Sequence, residues 1–200
     1  MSKRFPKGAA AVAALAIIAS ASQVSAQELV TNGGFESGDL GGWTQGGNTG
    51  FTGVNGPSAQ SGSFGAFFGP IGSVGTISQT IATVAGQTYN ISFWLRADGR
   101  TPNLFSADWD GSSLTSIANT AGFAYTEFNF SRLATSGSTV LSFGFQHDPA
   151  FFRLDNVSVT AATAAVPEPS TWAMMLLGFL AVGAAMRSSR VARTRVRFAI

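Results

Sequence analysis

Between residues 87 and 98 the side chains alternate: Tyr89, Ile91, Phe93 and Leu95 fall on one parity, Asn90, Ser92, Trp94 and Arg96 on the other. A period of two marks a strand with one buried and one solvated face, and such a pattern does not suit a helix. The signal recurs in short pieces. Residues 104–109 and 112–118 flank Asp110-Gly111, a dipeptide that favours a two-residue hairpin turn. Residues 123–133, 139–146 (Leu141, Phe143 and Phe145 on one side) and 152–160 follow, and 28–31, 63–68 and 74–84 precede them. No helical period interrupts this series. Sixteen of the 24 glycines fall between Gly33 and Gly86, so the first half should be rich in loops. Eight or nine short strands with glycine-rich turns predict an all-β sandwich of the jelly-roll kind.

The strands occupy residues 27–162, a stretch of ordinary domain size with room for one core. Fourteen of the chain's 17 Phe lie there, as expected of rings packed between two sheets. With no Cys and one His, thiol catalysis, disulfides, Cys-based zinc sites and His clusters are excluded. The net charge of +2 invites a nucleic-acid partner until the charges are located. Lys3, Arg4 and Lys7 lie at one end, and Arg187, Arg190, Arg193, Arg195 and Arg197 at the other. Over residues 27–165, Arg96, Arg100, Arg132 and Arg153 face nine acids, a balance of −5. An acidic domain is no partner for DNA or RNA.

Both ends have the anatomy of addresses. Residues 1–7 are basic, 9–19 apolar, and Val24-Ser25-Ala26 places small residues before a cleavage point, so 1–26 reads as a secretory signal peptide. At the other end, a linker over 163–171 contains Val166-Pro167-Glu168-Pro169-Ser170. An apolar run over 172–186 reads as a transmembrane helix, and 187–200 as a basic cytoplasmic tail. Fifteen residues give about 22 Å of helix against a hydrocarbon core of about 30 Å, so crossing would need a thin membrane, with Thr171 and a snorkelling Arg187 at the ends. Pro-Glu-Pro, a short apolar helix and a terminal Arg cluster, in that order, resemble the PEP-CTERM sorting signal, with Pro167, Glu168 and Pro169 as its tripeptide. The resemblance implies a Gram-negative exporter and an exosortase-type membrane protease as partner. The tail would then be removed and the protein left in the envelope, at the surface or in the extracellular matrix. Residues 191–200 run past where such a signal would stop, and a plain tail anchor on a Pro-rich stalk is the other reading.

Three segments of the domain carry a second resemblance. Leu29-Val30-Thr31-Asn32-Gly33-Gly34-Phe35-Glu36-Ser37-Gly38, followed by Trp43, is similar to the opening of galactose-binding-like jelly rolls, a group with many carbohydrate-binding modules. Gln60-Ser61-Gly62-Ser63-Phe64-Gly65-Ala66 resembles their second strand, and Leu154-Asp155-Asn156-Val157-Ser158-Val159 their closing one. In that group a structural Ca²⁺ often ties the two ends of the domain. Carried onto this chain, Glu36 and Asp155 would supply carboxylates, Gly34 a carbonyl, and the loop around 61–63 another. Hard oxygen ligands suit Ca²⁺, but two carboxylates are also ordinary turn residues or hydrogen-bond acceptors. Asp108-x-Asp110-Gly111 opens like a calcium loop but lacks its third acid and closing Glu, and reads as a hairpin turn.

No catalyst is expected. There is no Gly-x-Ser-x-Gly elbow, and His147, in His147-Asp148-Pro149, reads as a surface or turn-capping residue. Asp98, Asp108, Asp110 and Glu127 show no spacing that would pair them across a cleft. The sharper candidate is a sugar-binding face. Trp94 shares its parity with Asn90, Ser92 and Arg96, and Trp109 and Tyr125 could stand on neighbouring strands. The alternative is that these rings cover the sandwich beneath loops. The sequence thus describes a non-enzymatic exported envelope or exopolysaccharide-matrix protein that could bind polysaccharide. A purely structural module or a small envelope hydrolase are the other readings.

Overall fold

The computed structural model describes residues 26–162 and 169–188. Ten strands run in chain order: β1 (Thr44–Gly47), β2 (Thr52–Asn55), β3 (Gly65–Phe68), β4 (Gly75–Ala82), β5 (Thr88–Ala97), β6 (Asn103–Trp109), β7 (Ser112–Ala118), β8 (Phe123–Leu133), β9 (Ser138–His147) and β10 (Phe152–Ala161). They form two five-stranded antiparallel sheets, ordered β1-β4-β9-β6-β7 and β2-β3-β10-β5-β8. The jelly-roll sandwich read from the alternation is the fold.

Alternation does the sorting. In β5, Tyr89, Ile91, Phe93, Leu95 and Ala97 are buried, while Trp94 and Arg96 lie on the opposite face and are partly exposed. Asp110 and Gly111 take φ of 53° and 74°, the left-handed pair that a tight hairpin between β6 and β7 needs. Between the sheets the core is largely aromatic. Phe68 of β3 stacks on Phe145 of β9 at 3.8 Å and 3°, and Phe93 meets Phe143 edge-on at 5.1 Å and 84°. Phe105 of β6 reaches Phe152 of β10 at 5.8 Å. Each such pair adds about 0.5–1.5 kcal/mol beyond the area it buries.

Four expectations are corrected. Residues 28–31 form only an isolated bridge, Glu28 to Thr160, because the Glu28 carboxylate takes the amides of Val30 and Val159, each at 2.9 Å, and pins the chain beside β10. The stretch 60–66 is a strand only from Gly65; residues 60–63 are loop, their amides spent on carboxylates described below. β1 and β2 were not anticipated. They are four-residue, glycine-containing edge strands, and pairing with β4 and β3 holds them in place.

The last correction concerns the carboxyl-terminal apolar run. It is helical, and the helix α1 (Pro169–Ser188) is longer than expected, with proline acceptable at its start because an amide there has no intrahelical partner. Among the described residues, however, no helix is long and apolar enough to cross a membrane. The apolar part, residues 172–186, spans only about 22 Å, and Ser170, Thr171, Arg187 and Ser188 bound it. Residues 1–25, where the expected signal peptide falls, Pro167, Glu168 and the residues beyond Ser188 lie outside the described residues.

Candidate functional site

The solvent-facing side of the β2-β3-β10-β5-β8 sheet is built in rows, because cross-strand partners share a face. Asn90 of β5 pairs with Ser131 of β8 and Thr160 of β10; the next row is Ser92, Asn129 and Ser158. Together these two rows line an open depression of about 370 Å³. Trp94 comes next, between Glu127 and Asp155, and then Arg96 beside Arg153, with Phe67 of β3 on its far side. Successive rows on one face are two residues apart, about 6.7 Å, so the four rows span about 20 Å.

Hydrogen bonding distinguishes the two ends of this face. Among the described residues the side chains of Asn90, Ser92 and Asn129 have no protein partner, and no ring packs on Trp94. At the other end the charged side chains meet one another. Arg96 Nη2 lies 3.3 Å from Asp98 Oδ1, and Arg153 Nη1 bonds the same oxygen. Tyr125 donates its hydroxyl to the Ser58 carbonyl. Burial holds that phenol well above its usual pKa, helped by the negative charge of Asp155, so it stays neutral. Arg96, Asp98, Phe123 and Tyr125 line a second open depression of about 470 Å³.

Asp155 shares the face but is wholly buried, because the loop over 60–63 folds across it. Its Oδ2 accepts the Gln60 amide at 2.7 Å and that of Ser61 at 3.2 Å, and its Oδ1 the Asn156 amide at 2.7 Å. Glu36 takes the amides of Ser63 at 3.0 Å and Phe64 at 3.1 Å. Gly62, at φ +68°, allows this approach: a Cβ there would stand 2.3 Å from Glu36 Oε1. Gly34 lies between the carboxylates, its ideal Cβ position 3.9 Å from Asp155 Oδ1 and 3.8 Å from Glu36 Cγ. Burial raises the Asp155 pKa, the three amides oppose that, and the Glu36 charge adds to it. The structure thus gathers Gly34, Glu36, Asp155 and the 60–63 loop, but the loop offers amide hydrogens to the carboxylates. No group of three or more His, Cys, Asp or Glu converges among the described residues.

A sandwich whose ends are tied this way, with one open aromatic on a polar sheet face, matches a known family. Residues 27–131 match a family model described as a carbohydrate binding domain. The chain belongs to that family. Within the carbohydrate-binding domain the NGGFE segment forms the turns that seat Phe35 against Trp43 at 6.0 Å, and the indole donates to the Asn32 carbonyl at 3.1 Å. Residues 165–190 match the PEP-CTERM protein-sorting motif, which marks an exported, envelope-associated protein. Among solved structures, TmCBM61 in complex with β-1,4-galactotriose is similar at 17% identity and TM-score 0.56, over 68% of this chain and 99% of that one. The C-terminal family 22 carbohydrate binding module of Clostridium thermocellum Xyn10B is similar at 16% and 0.50, over 68% and 97%. The enzymatically active domain of bacteriophage CBA120 tailspike protein 4 matches at 14% and 0.53, over 68% of this chain and 21% of that one. At these identities the likeness is one of fold. A search of curated proteins finds no match.

The carbohydrate-binding domain separates the residues singled out in the sequence. Trp94, Arg96 and Tyr125 share one face. Trp109 does not: it is 3% exposed, packs on Tyr89 at 6.0 Å and belongs to the core. Its parity with Phe105 and Ala107 in β6, both fully buried, carries that signal. His147 is neither a surface nor a turn residue but fully buried at the end of β9, against Phe152 at 4.8 Å. Asn129, Arg153 and Asp98 were missed as parts of the face. Asn129 alternates with Phe128 and Phe130, and that parity could have found it.

Proposed function

We propose that the domain binds a polysaccharide chain along the outward face of the β2-β3-β10-β5-β8 sheet, with Trp94 as the stacking platform, Arg96 and Tyr125 beyond it, and no chemistry performed on the sugar. One observation carries this reading: a partly exposed indole beside Asn90, Ser92 and Asn129, whose side chains have no protein partner among the described residues. A ring face with hydrogen-bonding groups around it suits a pyranose. The outward rows of the other sheet, such as Ser78, Ser142 and Ser106, present hydroxyls without a ring. Glycan-array screening, followed by titration of the Trp94→Ala and Asn129→Ala variants, tests the site. Both variants should lose binding while keeping the wild-type melting temperature. Loss in Ser106→Ala and Gln146→Ala, with Trp94→Ala unaffected, would move the site to the other sheet, and silence of the folded wild type would leave a purely structural module.

We propose further that an exosortase-type membrane protease of a Gram-negative envelope recognises Pro167, Glu168 and Pro169 together with α1. It removes the tail and leaves the domain at the cell surface or in the exopolysaccharide matrix. Ca²⁺ at Gly34, Glu36 and Asp155 is proposed on the chemistry of the donors. A divalent cation would offset the Asp155 charge, whose ionisation burial and the Glu36 carboxylate oppose, although the amide contacts of both leave it few oxygens of the six to eight it takes.

A further inference from the structure

We propose that the Arg96 end of the sugar-binding face is a subsite for an acidic sugar unit, one that carries a carboxylate. This rests on the polysaccharide-binding reading above and names the class of glycan.

The charge arithmetic of the end row comes first. Arg96 and Arg153 both reach the same oxygen of a single carboxylate, Asp98 Oδ1. Within this row two guanidiniums share one carboxylate, an excess of one positive charge, while the neighbouring Trp94 row carries Glu127 and Asp155. Asp155, one of the two acids of that row, is already held by three backbone amides. The donors are also under-used. Among the described residues, Arg153 Nε is buried with no partner, and Arg96 makes no hydrogen bond or ion pair other than its contact with Asp98. The Arg96 side chain is 43% exposed and lines the 470 Å³ depression, so its remaining N–H groups are open to solvent there.

The walls of that depression suit a sugar acid better than a free inorganic ion. Tyr125 has spent its hydroxyl proton on Ser58 and stays neutral, so it offers a ring and no negative charge. Phe123 and Ala124 add apolar surface. A planar guanidinium fork matches the two oxygens of a carboxylate, whereas a neutral hydroxymethyl group at the same position would use one donor at most. The subsite also continues the Trp94 row, so one chain could stack on the indole and present its next unit to Arg96.

Isothermal titration of the intact protein separates the possibilities. The probes are oligogalacturonate against its methyl ester, β-1,4-oligoglucuronate against the matching cello-oligosaccharide, and a sulfated galactan oligosaccharide. The acid form of at least one pair should bind about tenfold tighter than its neutral partner, the size expected for one charge-assisted contact. Arg96→Gln should abolish that preference, bringing the acid and neutral affinities together, and Trp94→Ala should weaken both forms alike. Equal affinity within both pairs, or a preference that survives Arg96→Gln, overturns the acidic subsite but not sugar binding. Equal or tighter binding of the sulfated chain overturns the carboxylate assignment. If no oligosaccharide binds the folded protein, the polysaccharide reading itself falls.

Discussion

Trp94 and Trp109 stand on different sheets, one ring outward and one inward, and their substitution should separate binding from stability. Trp109 is enclosed by the core and touches Tyr89, so Trp109→Ala leaves a cavity in a close-packed interior and should cost about 3–5 kcal/mol. Trp94→Ala removes a partly exposed ring that no other ring contacts, and should cost under about 1 kcal/mol. Chemical denaturation of the two variants, side by side, checks both values; a large loss for Trp94→Ala would mean that its ring is structural. Gly62 offers a different test. At φ +68° and with Glu36 Oε1 at 2.3 Å from any Cβ, Gly62→Ala should destabilise by at least about 1 kcal/mol and unseat Glu36 from the loop. A melting temperature equal to wild type would show that the loop has another way to close.

At the scale of elements, the loop over 60–63 and β10 meet on Asp155, and that contact should give a definite pH dependence. Burial raises the Asp155 pKa in the folded state, with a further push from Glu36. The folded protein therefore holds this proton more tightly than the unfolded chain, where the group titrates near 3.9. The sign follows by linkage: Asp155's contribution to stability is fully present below about pH 3.9 and is lost as pH rises through the raised folded value. The melting temperature of the wild type minus that of Asp155→Asn should thus be larger at pH 3 than at pH 7. Ca²⁺ added at pH 7 should restore part of the difference if the cation occupies the proposed site, and a flat difference across pH would deny the raised pKa. The elements differ in how far they announce themselves. β5, β8 and β9 were legible because each alternates over most of its length, and the Asp110-Gly111 turn marks the hairpin between β6 and β7. β1 and β2 were not, because Thr44-Gln45-Gly46-Gly47 and Thr52-Gly53-Val54-Asn55 carry one apolar side chain between them and owe their conformation to partner strands. Asp155 was legible as a carboxylate but not as a buried one, since the loop that covers it arrives from some 95 residues away in the chain.

For the whole molecule the open question is how an acidic sandwich and a basic tail serve one protein. Residues 27–165 carry a balance of −5, while five of the chain's arginines fall after the apolar run, so removing the tail converts a chain of net charge +2 into an acidic one. The helix α1 has 20 residues, but its apolar part is about 22 Å long, short of the hydrocarbon thickness and a poor permanent anchor. Under the proposed processing, this segment and the Arg cluster after it are what the exosortase-type protease removes. In an exosortase-bearing Gram-negative host, the wild type should therefore leave the inner membrane as a form that lacks α1 and the Arg cluster, with intact mass and isoelectric point both shifted downward. Replacing Pro167, Glu168 and Pro169 together by alanine should leave the protein at its unprocessed mass, while the domain, whose core lies entirely outside these residues, keeps its melting temperature. Release of the triple variant at the wild-type mass would remove the tripeptide from recognition. Release of uncut wild type would mean that α1 never anchors the chain, consistent with its short apolar length alone.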